Sequence, residues 1–132
     1  MANEATLMFE TEVPLPFTVA DGTGIERGAV LTLTDPMTAA TVTASGVAVA
    51  GIAAEEKIAS DGRTRMAVFR RGIFKVTASG SVTVGNQLVA ATENKFVAAA
   101  INAEHSAGLA LETAADAETF LMELNPMNFN LA

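Results

Sequence analysis

The residues that could do chemistry are few. His105 is the single histidine, and no cysteine, serine elbow or carboxylate cluster surrounds it in sequence. An isolated histidine of this kind reads as a surface-loop residue rather than a base or a metal ligand. Glu55, Glu56 and Asp61 place three carboxylates close together. A calcium loop needs oxygen donors at alternate positions and a closing glutamate, and that pattern is missing, so Glu55-Glu56-Lys57 reads as a strand end running out to solvent. Gly22-Thr23-Gly24 with Gly28 resembles a phosphate loop only in its glycines, because no Lys-Ser/Thr pair follows to meet the phosphates. There is no G-x-S-x-G elbow. With no cysteine there is neither a disulfide framework nor a thiolate metal site. Trp and Tyr, the usual stacking platforms for sugars and single strands, are absent as well. The sequence therefore predicts no catalytic, cofactor-binding or metal residue and no enzyme. It describes a protein that assembles with other proteins.

Charge and hydropathy narrow the partners. The net charge is −7, which opposes nucleic-acid binding, since that rests on neutralising phosphates with Lys and Arg. The most apolar stretch, Val42 to Ala54, is too short and too broken by Ser45, Gly46 and Gly51 to span a membrane. Met1-Ala2-Asn3-Glu4 lacks the basic start of a signal peptide, so synthesis and folding in a cytoplasm are expected. Arg63, Arg65, Arg70, Arg71 and Lys75 gather most of the basic side chains. They form either the charged edge of a solvated hairpin or a basic strip that faces an acidic neighbouring subunit.

Half of the chain is hydrophobic, but Ala, Val and Thr supply much of it and Phe is the only aromatic. β-branched residues suit a pleated, half-buried surface. Short runs of them alternate with turn signals: Ala29–Leu33 before Asp35-Pro36, Thr41–Thr43 before Ser45-Gly46, Val47–Ala54, then Asp61-Gly62. Thr64–Phe69 and Ile73–Ala78 flank Arg70-Arg71-Gly72, which fits a three-residue hairpin with glycine at a positive φ. Val82–Val84, Gln87–Ala91, Phe96–Ala100, Gly108–Glu112 and Thr119–Leu124 follow, and Asn125–Leu131 reads as an irregular apolar tail. The pattern predicts an all-β fold, a small β-barrel over residues 25–132, with room for one short helix near Ala103–Ser106.

Residues 1–24 read differently. Pro14 and Pro16 exclude a helix, yet Leu7, Met8, Phe9, Val13, Leu15 and Phe17 are too apolar for a disordered tail. An extended apolar arm of this kind docks either on its own barrel or on the sheet edge of a partner, and residues 2–17 are expected to be removable without unfolding the barrel.

The chain also echoes itself. The interval from Gly28 to Gly51 recurs from Gly85 to Gly108, and superposing the two halves pairs Leu31 with Leu88 and Glu55 with Glu112. Two copies of one β-unit wrapped into a barrel would produce this echo.

Three stretches carry a family resemblance: Gly28-Ala29-Val30-Leu31-Thr32-Leu33 behind the arm, Val49-Ala50-Gly51-Ile52-Ala53-Ala54 before an acidic turn, and Arg65 to Lys75 with its basic, glycine-bearing turn. In this order the chain resembles the head decoration, or capsid cement, proteins of tailed bacteriophages, including the lambda-type decoration protein. The resemblance implies a non-enzymatic, β-tulip-like protein of the virion's outer capsid surface that forms homotrimers on an expanded head. It implies the major capsid protein as partner, met by the arm residues Leu7, Met8, Phe9, Val13, Leu15 and Phe17. The alternative is a non-viral, self-assembling β-barrel binding module.

Overall fold

The computed structural model describes residues 2–100 and 105–128, and every regular element among them is a strand. In chain order these are β1 (Thr6–Phe9), β2 (Leu15–Thr18), β3 (Val30–Thr34), β4 (Thr38–Thr41), β5 (Val49–Ala53), β6 (Arg65–Phe69), β7 (Gly72–Ala78), β8 (Gln87–Ala90), β9 (Lys95–Ala98), β10 (His105–Ala110) and β11 (Thr119–Asn128). The all-β reading holds. Ala103 lies outside the described residues, while His105 and Ser106, placed in a loop or short helix by the sequence, belong to β10. Asn125–Asn128, read as irregular tail, extends β11; the rest of that tail is outside the described residues.

The strands form two barrels where one was expected. β2-β4-β3-β5-β6 close the first, and β7-β11-β10-β8-β9 close the second through a β7–β9 pairing, with β1 added to β7. The element order is identical in both: β2 matches β7, β3 matches β8, and so on to β6 and β11. Even the parallel contact recurs, as β2–β4 and as β7–β9. The isolated bridges Ile25↔Lys57 and Val82↔Ala114 sit at equivalent places; the second is all that stands where Val82–Val84 suggested a strand. The internal echo is therefore a real repeat in the predicted register, since Leu31 faces Gly51 and Leu88 faces Gly108. Each copy closes on itself instead of sharing one barrel.

Local sequence explains why. The expected hairpin around Arg70-Arg71-Gly72 does not form, because β6 pairs with β2 and β5 while β7 pairs with β1, β9 and β11. Arg70-Arg71 is the crossing between barrels. Phe69, ending β6, and Phe74, on β7, meet edge to face across it at 5.6 Å, a geometry worth about 0.5–1.5 kcal/mol beyond burial.

Closure of so small a barrel bends its strands. Gly51 lies at φ +148°, and a Cβ there would overlap the carbonyl oxygen of Phe69; a Cβ on Gly108 would overlap that of Glu123. Both glycines sit beside a register shift in their ladders, where a bulge increases local bend and twist.

Two apolar clusters result. Phe17, Val19, Leu31, Ala50, Met66 and Val68 fill the first barrel. Phe74, Val76, Leu88, Phe96, Phe120 and Met122 fill the second, and Val30, Val42, Val49 and Ile52 of the first barrel join that cluster. The barrels therefore pack against each other through apolar contact. Gly51→Ala is expected to destabilise the protein by at least about 1–3 kcal/mol, the cost of backbone strain before the overlap is added. Gly108→Ala, which suffers the overlap alone, is expected to lower stability by a smaller amount. Urea titrations check both, and an unchanged midpoint for Gly51→Ala would show that the bend does not need glycine.

Candidate functional site

The N-terminal residues are held on the chain's own barrels. The Ala5 amide donates to Gly28 O at 2.8 Å, and Asn94 Nδ2 donates to Ala2 O at 3.0 Å. Asn3 Nδ2 reaches Glu93 O. β1 then pairs antiparallel with β7, Thr6 opposite Lys75 and Phe9 opposite Ile73. Of the two ways for the arm to dock, the described chain shows the intramolecular one.

The six arm residues do not stay together. Leu7, Met8 and Phe9 lie on β1, all exposed, Phe9 at 61%. Their strand pairs with β7 on one side, and its other edge has no partner strand among the described residues. Val13, in the link to β2, is exposed at 68%. Leu15 and Phe17 belong to β2, which closes the first barrel, and Phe17 is buried in its core. The boundary expected at residue 24 thus cuts through the first repeat, because the alternation Leu15-Pro16-Phe17 is a strand pattern as well as an arm pattern.

The basic residues also separate. Arg63 pairs with Glu55 at 2.8 Å. Arg65 is exposed on β6, Arg71 is exposed in the crossing, and Lys75 is exposed on β7. Arg70 is half-buried and donates through Nη1 to Val49 O and Ala50 O at 3.1 and 3.0 Å. Burial holds its pKa below the usual value, with Glu12 opposing that and Arg71 adding to it. Five side chains that sequence placed on one hairpin therefore span two barrels.

One ionic site escaped the sequence reading. Lys57, expected in solvent, is buried. Its three N–H donors lie within hydrogen-bond distance of four oxygens, Asp21 O (2.8 Å), Asp21 Oδ1 (3.2 Å), Ile58 O (3.1 Å) and Asp61 Oδ1 (2.9 Å), so two of these share one donor. Burial works against its charge, but the bonds to Asp61 and Asp21 prevail and raise its pKa. The Lys57 ammonium and the Arg63 amide lower Asp61 to about 2. Glu55 is not a solvated strand end either, because its carboxylate accepts the Ala67 amide, which lowers its pKa, and pairs with Arg63. Asp21 and Asp61 both lie in turns bracketing a lone lysine, which was the available signal. This site ties loops together. Among the described residues no group of His, Asp or Glu is placed to hold a metal ion, and no helix is long and apolar enough to cross a membrane.

Two linked barrels with an appended edge strand and an ionic loop tie define a class of protein: an all-β module built on a repeated five-stranded unit. Residues 10–124 match the family model described as phage cement protein, and the chain belongs to that family. Its role is structural, and its place is with the phage capsid. No curated protein sequence matches the chain. Among solved structures it is similar to the head fiber gp8.5 N base of bacteriophage phi29, with 14% identity and a TM-score of 0.58 over 86% of this chain and 96% of that one. The likeness concerns the fold.

Two outcomes test this account. Because β2 belongs to the first barrel, deletion of residues 2–17 should expose its core and bind a hydrophobic dye, contrary to the reading of a dispensable arm. Deletion of residues 2–9 should leave both barrels folded with a lowered melting midpoint. The second outcome concerns acid. Asp61 titrates lower folded than its ordinary value of 3.8, so the stability it contributes is complete above that value and is lost as pH falls towards about 2. Lys57→Met should lower the midpoint at neutral pH and flatten this acid-dependent loss, whereas Lys95→Met should do neither. Equal acid profiles for Lys57→Met and the parent would refute the assignment.

Proposed function

We propose that this protein cements the outer surface of an expanded phage head, binding the major capsid protein as a homotrimer and stabilising the shell against the pressure of packaged DNA. The observation that carries the reading is the match to the phage cement family over most of the chain. The non-viral binding module has no comparable support.

The docking element we assign is the N-terminal segment, now reduced from the six arm residues to Leu7, Met8, Phe9 and Val13, which are exposed and lie outside the first barrel that takes up Leu15 and Phe17. An edge strand with an open side can accept a strand from a partner, main-chain bonds giving affinity and alternate side chains giving specificity. Such apolar edges are a hazard in a protein that stays alone. Burying each large apolar side chain contributes about 1.5–3 kcal/mol, and three copies acting together would multiply a weak single contact. Arg65, Arg71 and Lys75, exposed and without an ion pair among the described residues, would face acidic groups of neighbouring copies; beyond Lys75 the chain's second half holds only Lys95 as a further basic residue.

Adding purified protein to expanded heads that lack it should give saturable binding, with density in threes at threefold positions in a reconstruction of the particle. Phe9→Lys with Val13→Lys should weaken that binding by about tenfold or more without changing the melting midpoint. Isolated single copies away from threefold positions would refute the trimer, and undiminished binding of the double variant would refute the role of the segment.

A further inference from the structure

The repeat exposes one surface of the first barrel whose counterpart on the second is covered. The offset that carries Gly28 to Gly85 carries Leu15, Leu33 and Met37 to Gly72, Ala90 and Asn94. On the second barrel these three are buried. Gly46 of the first barrel donates its amide to Ala90 O at 2.9 Å, and the Val30 amide donates to Asn94 Oδ1 at 3.0 Å. The N-terminal segment closes over the same end, with Asn94 Nδ2 on Ala2 O and β1 laid along β7. One end of the second barrel is thus a docking platform, already filled from within the chain.

On the first barrel the same end is open and its residues are larger and more apolar. Leu15, Leu33 and Met37 are 38%, 37% and 54% exposed. With Phe17 and Arg70 they line a pocket of about 250 Å³. Arg70 gives the pocket a charge. Its Nη1 is spent on two carbonyls of β5, it forms no ion pair among the described residues, and Glu12 acts on it only from a distance. A half-buried guanidinium in an apolar wall favours a carboxylate, which it can engage through its remaining N–H groups. An added strand is disfavoured here. Pro16, the counterpart of Ile73 to which β1 pairs, has no N–H to offer along the edge.

We infer that this open end receives a side-chain anchor of the shell protein: an apolar side chain seated among Leu15, Leu33 and Met37, carried beside an Asp or Glu that pairs with Arg70. The identity of the partner rests on the cement reading above. The chemistry of the anchor follows from the pocket. This contact is separate from the β1 edge, so a bound copy holds the shell at two points.

The probe is the expanded head lacking this protein, titrated with the full chain and with variants. Met37→Asn installs the residue that the second repeat carries at the same place, and Met37 already has a positive φ of 45°, which Asn tolerates well. Leu33→Asp puts a charge into the apolar wall, Arg70→Gln removes the cation, and Lys95→Gln is the control. Met37→Asn combined with Leu33→Asp should weaken binding by about tenfold or more. Arg70→Gln should weaken it comparably and reduce its dependence on salt, with the control unchanged. The midpoints of the control and of Met37→Asn should stay near that of the parent. Arg70→Gln also gives up its bonds to Val49 O and Ala50 O, so it is read by the change in salt dependence, which a loss of stability alone would not produce. If the parent binds heads and these variants bind as well as it does, the inference is wrong while the cement reading stands. If the parent does not bind heads, both fall. If the variants instead abolish self-association of the free protein, measured by sedimentation, the pocket's occupant is a second copy and the inference is wrong.

Discussion

Closing a sheet of only five strands demands sharp local bending, which bulges and glycine kinks supply, and here one strand of each barrel bends until a neighbour's carbonyl occupies the space of a side chain. In this protein that demand falls on Gly51 and Gly108, which receive the carbonyls of Phe69 and Glu123. Much else follows from it. The bend lets β5 reach both β3 and β6, and β10 reach both β8 and β11. That brings Leu31 and Val68 of one barrel, and Leu88 and Leu124 of the other, into closed apolar interiors. Small residues make this affordable: Ala50 and Ala53 beside Gly51, and Ala107 and Ala110 beside Gly108, keep the walls thin.

Two copies of one unit need not be used alike. The second barrel is capped at one end by the first barrel and by the N-terminal segment, through Gly46, Val30, Ala2 and the apolar contacts of Ile52 and Val49. The first barrel instead has a buried ionic tie, with Lys57 bonded to the turns at Asp21 and Asp61, where the second has Ala114. Asp116 and Glu118 serve the corresponding loops of the second barrel by accepting backbone amides at Gly80 and Ala115. One repeat is thereby specialised for internal docking and the other keeps an open end.

The same asymmetry places the N-terminal strand. β7 offers Ile73 and Lys75 along the edge that β1 occupies, while β2 presents Pro16 at the matching place. A proline that supplies no donor blunts an edge, so the segment has one repeat to pair with and does not exchange between them. For a protein of the phage cement family, this fixes which apolar side chains face outward on the finished molecule.

By itself the sequence determined a good deal. Runs of Val, Thr and Ala broken by Asp-Gly, Ser-Gly and Asp-Pro located most strands from Val30 to Leu124 within a few residues, because a period of two and turn chemistry are local properties. Thr41–Thr43 instead falls at and beyond the end of β4, and Val82–Val84 makes only a single bridge. The Gly28–Gly51 and Gly85–Gly108 echo carried the register of the repeat, since a bend that only glycine allows leaves a mark in the sequence. What it could not convey was closure. Whether two β-units complete one barrel or two depends on which edges meet, and Phe69-Arg70-Arg71-Gly72 reads identically as a hairpin turn and as a crossing. Burial of Lys57 likewise depends on Asp21, distant in sequence, arriving beside it. Leu15 and Phe17 looked like part of an arm until β6 was there to pair with them. Only the tertiary structure brought Leu15, Leu33, Met37 and Arg70 to one pocket, because strand pairing between distant segments, not local pattern, sets which side chains share a surface.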